Sequence, residues 1–138
     1  MSLRIELTED LAACHALRRE VFIEEQGVSE ADERDELDPQ SLHLIAFLAD
    51  VPVGTARIYI KDGVAKIGRV CVLRAQRGAG HGAALIVKSL EVSRGRAHQA
   101  KLGAQTHAIG FYEGLGFTAE GPVYDDAGIP HRDMVRDL

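Results

Sequence analysis

The sequence predicts an α/β fold on one mixed (α+β) sheet: an antiparallel N-terminal meander, a single βαβ unit and closing antiparallel strands. Three observations carry that expectation. Hairpin signals at Asp50-Val51-Pro52 and Asp62-Gly63 separate three apolar runs. A glycine-rich run, Gly78 to Gly82, feeds a helical stretch that Gly95 ends. The short strand after that helix is reached by a crossover, which lays it parallel to the strand before the glycines.

The elements follow in order. Leu3, Ile5 and Leu7 alternate as a first strand. Thr8 reads as an N-cap, with Glu9 and Asp10 at the positive end of a helix on which Leu11, Cys14, Leu17, Val21 and Phe22 share a face. Gln26-Gly27 closes it. Ser29 to Gln40 reads as a short helix and loop stopped before Pro39. The meander strands are His43 to Ala49, Gly54 to Ile60 and Val64 to Leu73. A long helix runs from Ala83 to about Arg94, and Lys101 to Gln105 is the parallel strand. Thr106 or His107 opens a helix through Tyr112 that ends at Gly114 to Gly116. Phe117 starts a strand, Asp126 to Pro130 turns the chain, and Arg132 to Arg136 is the last strand.

Length and composition fit this plan. The 138 residues and 15.0 kDa, with 46% hydrophobic and 27% charged residues, describe one domain spanning 1–138. Aromatic content of 5% without Trp argues against a stacking platform for nucleic acid, and a net charge of -5 against affinity for nucleic acid or anionic membrane. Runs free of Asp, Glu, Lys and Arg, such as Leu102 to Tyr112, fall well short of the ~18 residues of a membrane span. No signal core opens the chain, so a cytoplasmic protein is expected. Cys14 and Cys71 sit in apolar surroundings and read as buried, inert thiols. The six histidines show no metal-ligand spacing, so no metal is expected. From Glu20 to Asp38 nine acids face Arg34 alone, a net of -8 that leaves +3 elsewhere. That segment is either a solvated face or a lure for a cationic substrate.

The most informative passage is Val70-Cys-Val-Leu-Arg-Ala-Gln-Arg-Gly-Ala-Gly-His-Gly82. A strand, a glycine loop and a helix start present unpaired backbone N–H groups and a positive dipole end, which together make a pyrophosphate cradle. Arg74 and Arg77 stand at its rim. No Lys follows Gly82, which excludes a P-loop. Gly78-x-Gly80-x-x-Ala83 fits a dinucleotide fingerprint formally, but Arg96-Ala-His-Gln-Ala-Lys lacks the acidic residue that fingerprint needs. Arg77-x-x-Gly80-x-Gly82 resembles the acyl-CoA loop of the GNAT superfamily of N-acyltransferases. Ala108-Ile-Gly-Phe-Tyr-Glu-Gly-Leu-Gly-Phe117 resembles its second signature, and element order matches over nearly the whole chain. Arg18 to Gln26 and Asp126 to Met134 resemble the ElaA-like branch.

The resemblance implies the following roles. Backbone groups of Val70, Cys71 and Val72 would meet the pantetheine arm and thioester, between two parallel strands that splay apart. Amides of Gly78, Ala79, Gly80, His81, Gly82 and Ala83 would hold the pyrophosphate, with Arg77 at the rim. Gln105 stands where many members place a pantetheine-contacting Asn. Tyr112 would serve as general acid toward the departing thiolate. For the base that takes the amine proton, Glu24, Glu25, His43 and His131 are the candidates, with Glu24 and His131 foremost. The implied activity is acetyl transfer from acetyl-CoA to a primary amine by direct attack in a ternary complex. A non-catalytic acyl-CoA-binding module is the alternative. The acceptor would be a small molecule or peptide amine, and strand edges near the C-terminus offer a surface for a homodimer.

Overall fold

The structure, a computed structural model, describes residues 2–33 and 35–138; Arg34, counted above in the acidic segment, lies outside them. Its strands are β1 (Leu3–Thr8), β2 (Leu42–Leu48), β3 (Val51–Lys61), β4 (Val64–Val72), β5 (Gln99–Gln105), β6 (Thr118–Asp126) and β7 (Ile129–Asp137). They form one sheet in the order β1-β2-β3-β4-β5-β7-β6. Only β4 and β5 pair in parallel, and all other neighbours are antiparallel. This is the mixed sheet that the hairpin and crossover signals predict.

Local chemistry shifts several boundaries. The first hairpin turns at Ala49 and Asp50, both at positive φ, and not at Asp50-Val51-Pro52. Val51 and Pro52 already belong to β3, where a register shift opposite Ala46 and Phe47 relieves the proline of a ladder bond. Helix α1 (Leu11–Arg18) is capped by Asp10, whose carboxylate accepts from the Ala13 amide at 3.1 Å. The expected cap, Thr8, acts one step earlier and accepts from the Asp10 amide. The helix continues as a π-helical turn (Arg19–Glu25). Helix α2 (Glu30–Glu33) follows, then a 3₁₀ turn (Asp38–Gln40) that takes Pro39 into its first turn rather than stopping before it. Helix α3 (His81–Ser93) begins two residues before the expected Ala83, and α4 (Ile109–Glu113) follows a 3₁₀ turn at Thr106–Ala108.

The two sheet faces differ in kind. Leu85, Ile86 and Leu90 of α3 pack on Leu44, Ala56, Ile58, Ala65 and Ile67, which form the main core. Under α1 the apolar cluster is small, Leu17, Val21, Ile45 and Cys71. An ion network fills the rest of that side. Arg18, 1% exposed, donates to Glu33 at 2.6 Å and to Asp38 at 3.0 and 3.2 Å. Arg57 donates to Asp35 and Asp38, and His15 meets Asp38 at 2.8 Å. Glu33, Asp35 and Asp38 therefore face Arg18, Arg57 and Arg69, three charges against three. The acidic segment divides: Glu33, Asp35 and Asp38 are engaged by arginines, while Glu20, Glu24, Asp32 and Glu36 are exposed. Burial would raise the Asp38 carboxyl, but hydrogen bonds from Arg18, His15 and Arg57 hold it far below the carboxylate range.

Candidate functional site

The site begins where β4 and β5 part. Their ladder joins Val64–Lys66 to Gln99–Lys101 and then stops. The cause lies on β4. Between the pairs Thr55–Cys71 and Arg57–Gly68, β4 carries one more residue than β3, a bulge with Arg69 at φ 51. The Arg69 guanidinium fixes that strained residue by donating to the Glu33 carbonyl at 3.0 and 2.9 Å and to Asp35 at 3.3 Å. The resulting cleft has a volume of about 440 Å³. Gly68, Arg69 and Val70 line one wall, and Leu102, Gly103 and Gln105 the other. The π-helical turn brings Phe22 and Gln26 over it.

The glycine loop stands at the end of β4. Gly78 and Gly80 have φ of 85 and 81, the left-handed region where a side chain is strained. Gly80 caps α3 with no side-chain hydrogen bond, so the dipole end is open, and no heavy atom stands within 4 Å of a Cβ built at Gly78, Gly80 or Gly82. His81, Gly82 and Ala83 form the first helical turn, with Ala79 exposed between the glycines. This geometry suits a pyrophosphate. Arg77 is not free at the rim. Its Nε donates to the Val72 carbonyl at 2.9 Å, and both terminal nitrogens donate to Glu25 at 2.6 and 2.8 Å. Arg74 approaches the same carboxylate at 3.7 Å. Those hydrogen bonds from Arg77 lower the Glu25 carboxyl, and Glu25 stands outside the cleft lining as an ion-pair partner of Arg77.

The structure gathers some sequence candidates and separates others. Tyr112, Gln105, Val70 and His131 all line the cleft. Tyr112 packs edge-on between Phe111 and Phe117, with centroids 5.0 and 6.0 Å away, and burial raises its phenol. The Gln105 Oε1 accepts from His107 Nε2 at 2.7 Å. Cys71 and Val72 are buried and off the cleft wall, so only their backbone is available, and the Val72 carbonyl is already held by Arg77. Glu24 does not reach the cleft; it is exposed near Arg19. His43 is buried, and its Nε2 donates to the Asp38 carbonyl. Burial pushes the Cys71 thiol up to about 12 and raises Cys14 as well, so both stay protonated. His131 Nδ1 donates to the Ile129 carbonyl at 2.8 Å, which leaves Nε2 as the lone-pair nitrogen.

Sequence reasoning missed Tyr124, Asp133, Lys66 and Lys101, which also line the cleft, and the anchoring role of Arg69. A glycine inside the strand Lys101 to Gln105 was the available signal, since strand glycines mark a close approach. A Cβ at Gly103 would lie 2.5 Å from the Tyr124 hydroxyl.

Known proteins share this arrangement. The acetyltransferase (GNAT) domain family matches residues 6–138. The uncharacterized N-acetyltransferase YjcF of Bacillus subtilis is 40% identical over 132 residues, 94% of each chain. An acyl-CoA N-acyltransferase structure from Pseudomonas aeruginosa superposes with a TM-score of 0.88 at 30% identity, covering 98% of this chain and 99% of that one. Escherichia coli ElaA superposes with a TM-score of 0.81 at 31% identity, covering 98% of each chain. With a forked parallel strand pair, an uncapped glycine-loop helix and these relatives over nearly its whole length, the chain belongs to the GNAT acetyltransferases, alongside ElaA, and is an acyltransferase.

Proposed function

We propose that the chain transfers an acetyl group from acetyl-CoA to a primary amine by direct attack in a ternary complex. The observation that carries this reading is the fork: β4 and β5 part into a cleft with Tyr112 and His131 on its walls, and β4 leads on into the glycine loop and an open helix N-terminus. The loop amides of Gly78 to Ala83 receive the pyrophosphate, and the unpaired backbone beyond Lys66 receives the pantetheine arm. The amine nitrogen bonds to the acetyl carbon, the C–S bond breaks with its electrons on sulfur, and the products are an acetylamide and the CoA thiol. His131 Nε2 takes the proton the amine must lose, and Tyr112, whose raised phenol stays protonated, donates toward sulfur. Holding amine and thioester together supplies most of the rate. The buried, protonated Cys14 and Cys71 give no support to a covalent acyl-enzyme.

Acetyl-CoA, CoA, NAD and NADP compared by thermal shift, followed by acetyl-CoA turnover against a panel of primary amines, tests this reading. Stabilisation by both CoA species alone, at ~2.7 kcal/mol for a ligand at 100 times its Kd, with turnover of at least one amine, is the expected result. CoA binding without turnover of any amine would favour the non-catalytic module, and stabilisation by a nicotinamide nucleotide would overturn the loop assignment.

A further inference from the structure

The fork accounts for Tyr112 and His131 but not for the effort the fold spends on Tyr124. Strand β6 pairs Glu120 with Asp133 and Tyr124 with His131, so four residues of β6 span two of β7. A bulge within Gly121 to Val123 takes up the two extra residues, and the Arg132 guanidinium donates to the Gly121 carbonyl at 2.8 Å. The hairpin turn sets the pair, because the register Asp126–Ile129 and Asp125–Pro130 carries on to Tyr124–His131. Tyr124 lies on the imidazole, ring centroids 6.0 Å apart and planes at 23°. Its hydroxyl donates to Asp133 Oδ1 at 2.7 Å and passes over Gly103, where a Cβ would lie 2.5 Å away and push it aside. Two separate features, a missing side chain and a carboxylate, thus serve one ring that is 37% exposed.

Resting on the reading of His131 as the base, we infer that Tyr124 is the positioning residue that keeps the His131 imidazole in the plane where Nδ1 donates to Ile129 and Nε2 faces the amine. An imidazole on an open strand end would rotate about its side-chain bonds and exchange protons between its two nitrogens. The stacked phenol limits the rotation, and Asp133 limits the phenol. Asp133 is in turn steadied by Lys101 at 3.6 Å.

Long-range ¹⁵N–¹H correlation spectra of the ligand-free, histidine-labelled protein read which imidazole nitrogen carries the proton. Wild type is expected to show neutral His131 in one form, protonated at Nδ1. In Tyr124→Ala the Nε2-protonated form, which a solvated histidine side chain prefers, rises to a comparable share. For an amine that wild type acetylates, kcat falls about tenfold with the KM for acetyl-CoA unchanged. Gly103→Ala retains the tyrosine but displaces its hydroxyl, and is expected to give the same spectrum as Tyr124→Ala. Asp133→Asn keeps an oxygen for the phenol and retains the wild-type form. Wild-type spectra in both Tyr124→Ala and Gly103→Ala overturn the inference. Failure of the base reading shows elsewhere: a His131→Gln enzyme with an unchanged kcat–pH profile removes the base, while the tautomer populations still report on Tyr124.

Discussion

Tyr112 is half-buried and Cys71 buried, and loss of water raises both donors yet gives them opposite prospects. A raised phenol pKa suits a group that must arrive protonated at the leaving sulfur. We therefore expect Tyr112→Phe to lower kcat by ~10²–10⁴ with CoA affinity unchanged, which stopped assays and calorimetry would separate. For Cys71 the same burial leaves almost no thiolate. Alkylating reagents at neutral pH should label neither Cys14 nor Cys71 in the native chain, and intact-mass spectra would show this. Tyr112 and the glycines were legible because their neighbours in sequence define them. Glu24, His43 and Glu25 were not separable from His131 on sequence alone. Their roles depend on what lies across the fold: Arg19 beside the first, Asp38 beside the second, Arg77 on the third.

At the scale of elements, the alternating runs and hairpin residues gave away every strand, because two-residue turns such as Asp62-Gly63 leave no choice of pairing. The bulge that opens β4 was not legible in its own residues, since Arg69 takes a left-handed conformation through contacts with Glu33 and Asp35 more than thirty positions earlier in the chain. Amide hydrogen exchange should follow the broken ladder. Those amides of β5 beyond Lys101 that point toward β4, and those of β4 near Arg69, are expected to exchange faster than those at Val64–Lys66, and to slow when CoA is added, while the β5 amides that face β7 stay protected. Equal protection along both strands in the free chain would contradict the fork.

Taken whole, the molecule is held on one side by α3 and its apolar contacts and on the other by charges that compensate one another. Removing Glu33 leaves the buried Arg18 guanidinium with Asp38 alone to compensate it, so Glu33→Ala should cost ~3–5 kcal/mol in urea unfolding. The same network sets the acid limit. Asp38 titrates lower in the folded chain than the ~3.9 of an unfolded Asp, so the unfolded state binds the proton first and stability falls as pH drops below about 4. Asp38→Asn should flatten that acid slope while lowering stability at neutral pH.

The bulge at Arg69 has a kinetic meaning as well. The gap between β4 and β5 is held by hydrogen bonds within the ligand-free chain, so the ladder does not have to break when a ligand arrives. Association should then be a single encounter, with an observed rate that rises linearly with CoA concentration and no slow isomerisation phase, the behaviour of a preorganised receptor. Arg69→Gly, which tolerates the same backbone angle but lacks the tether, would instead let the strands close and bring that slow phase into view.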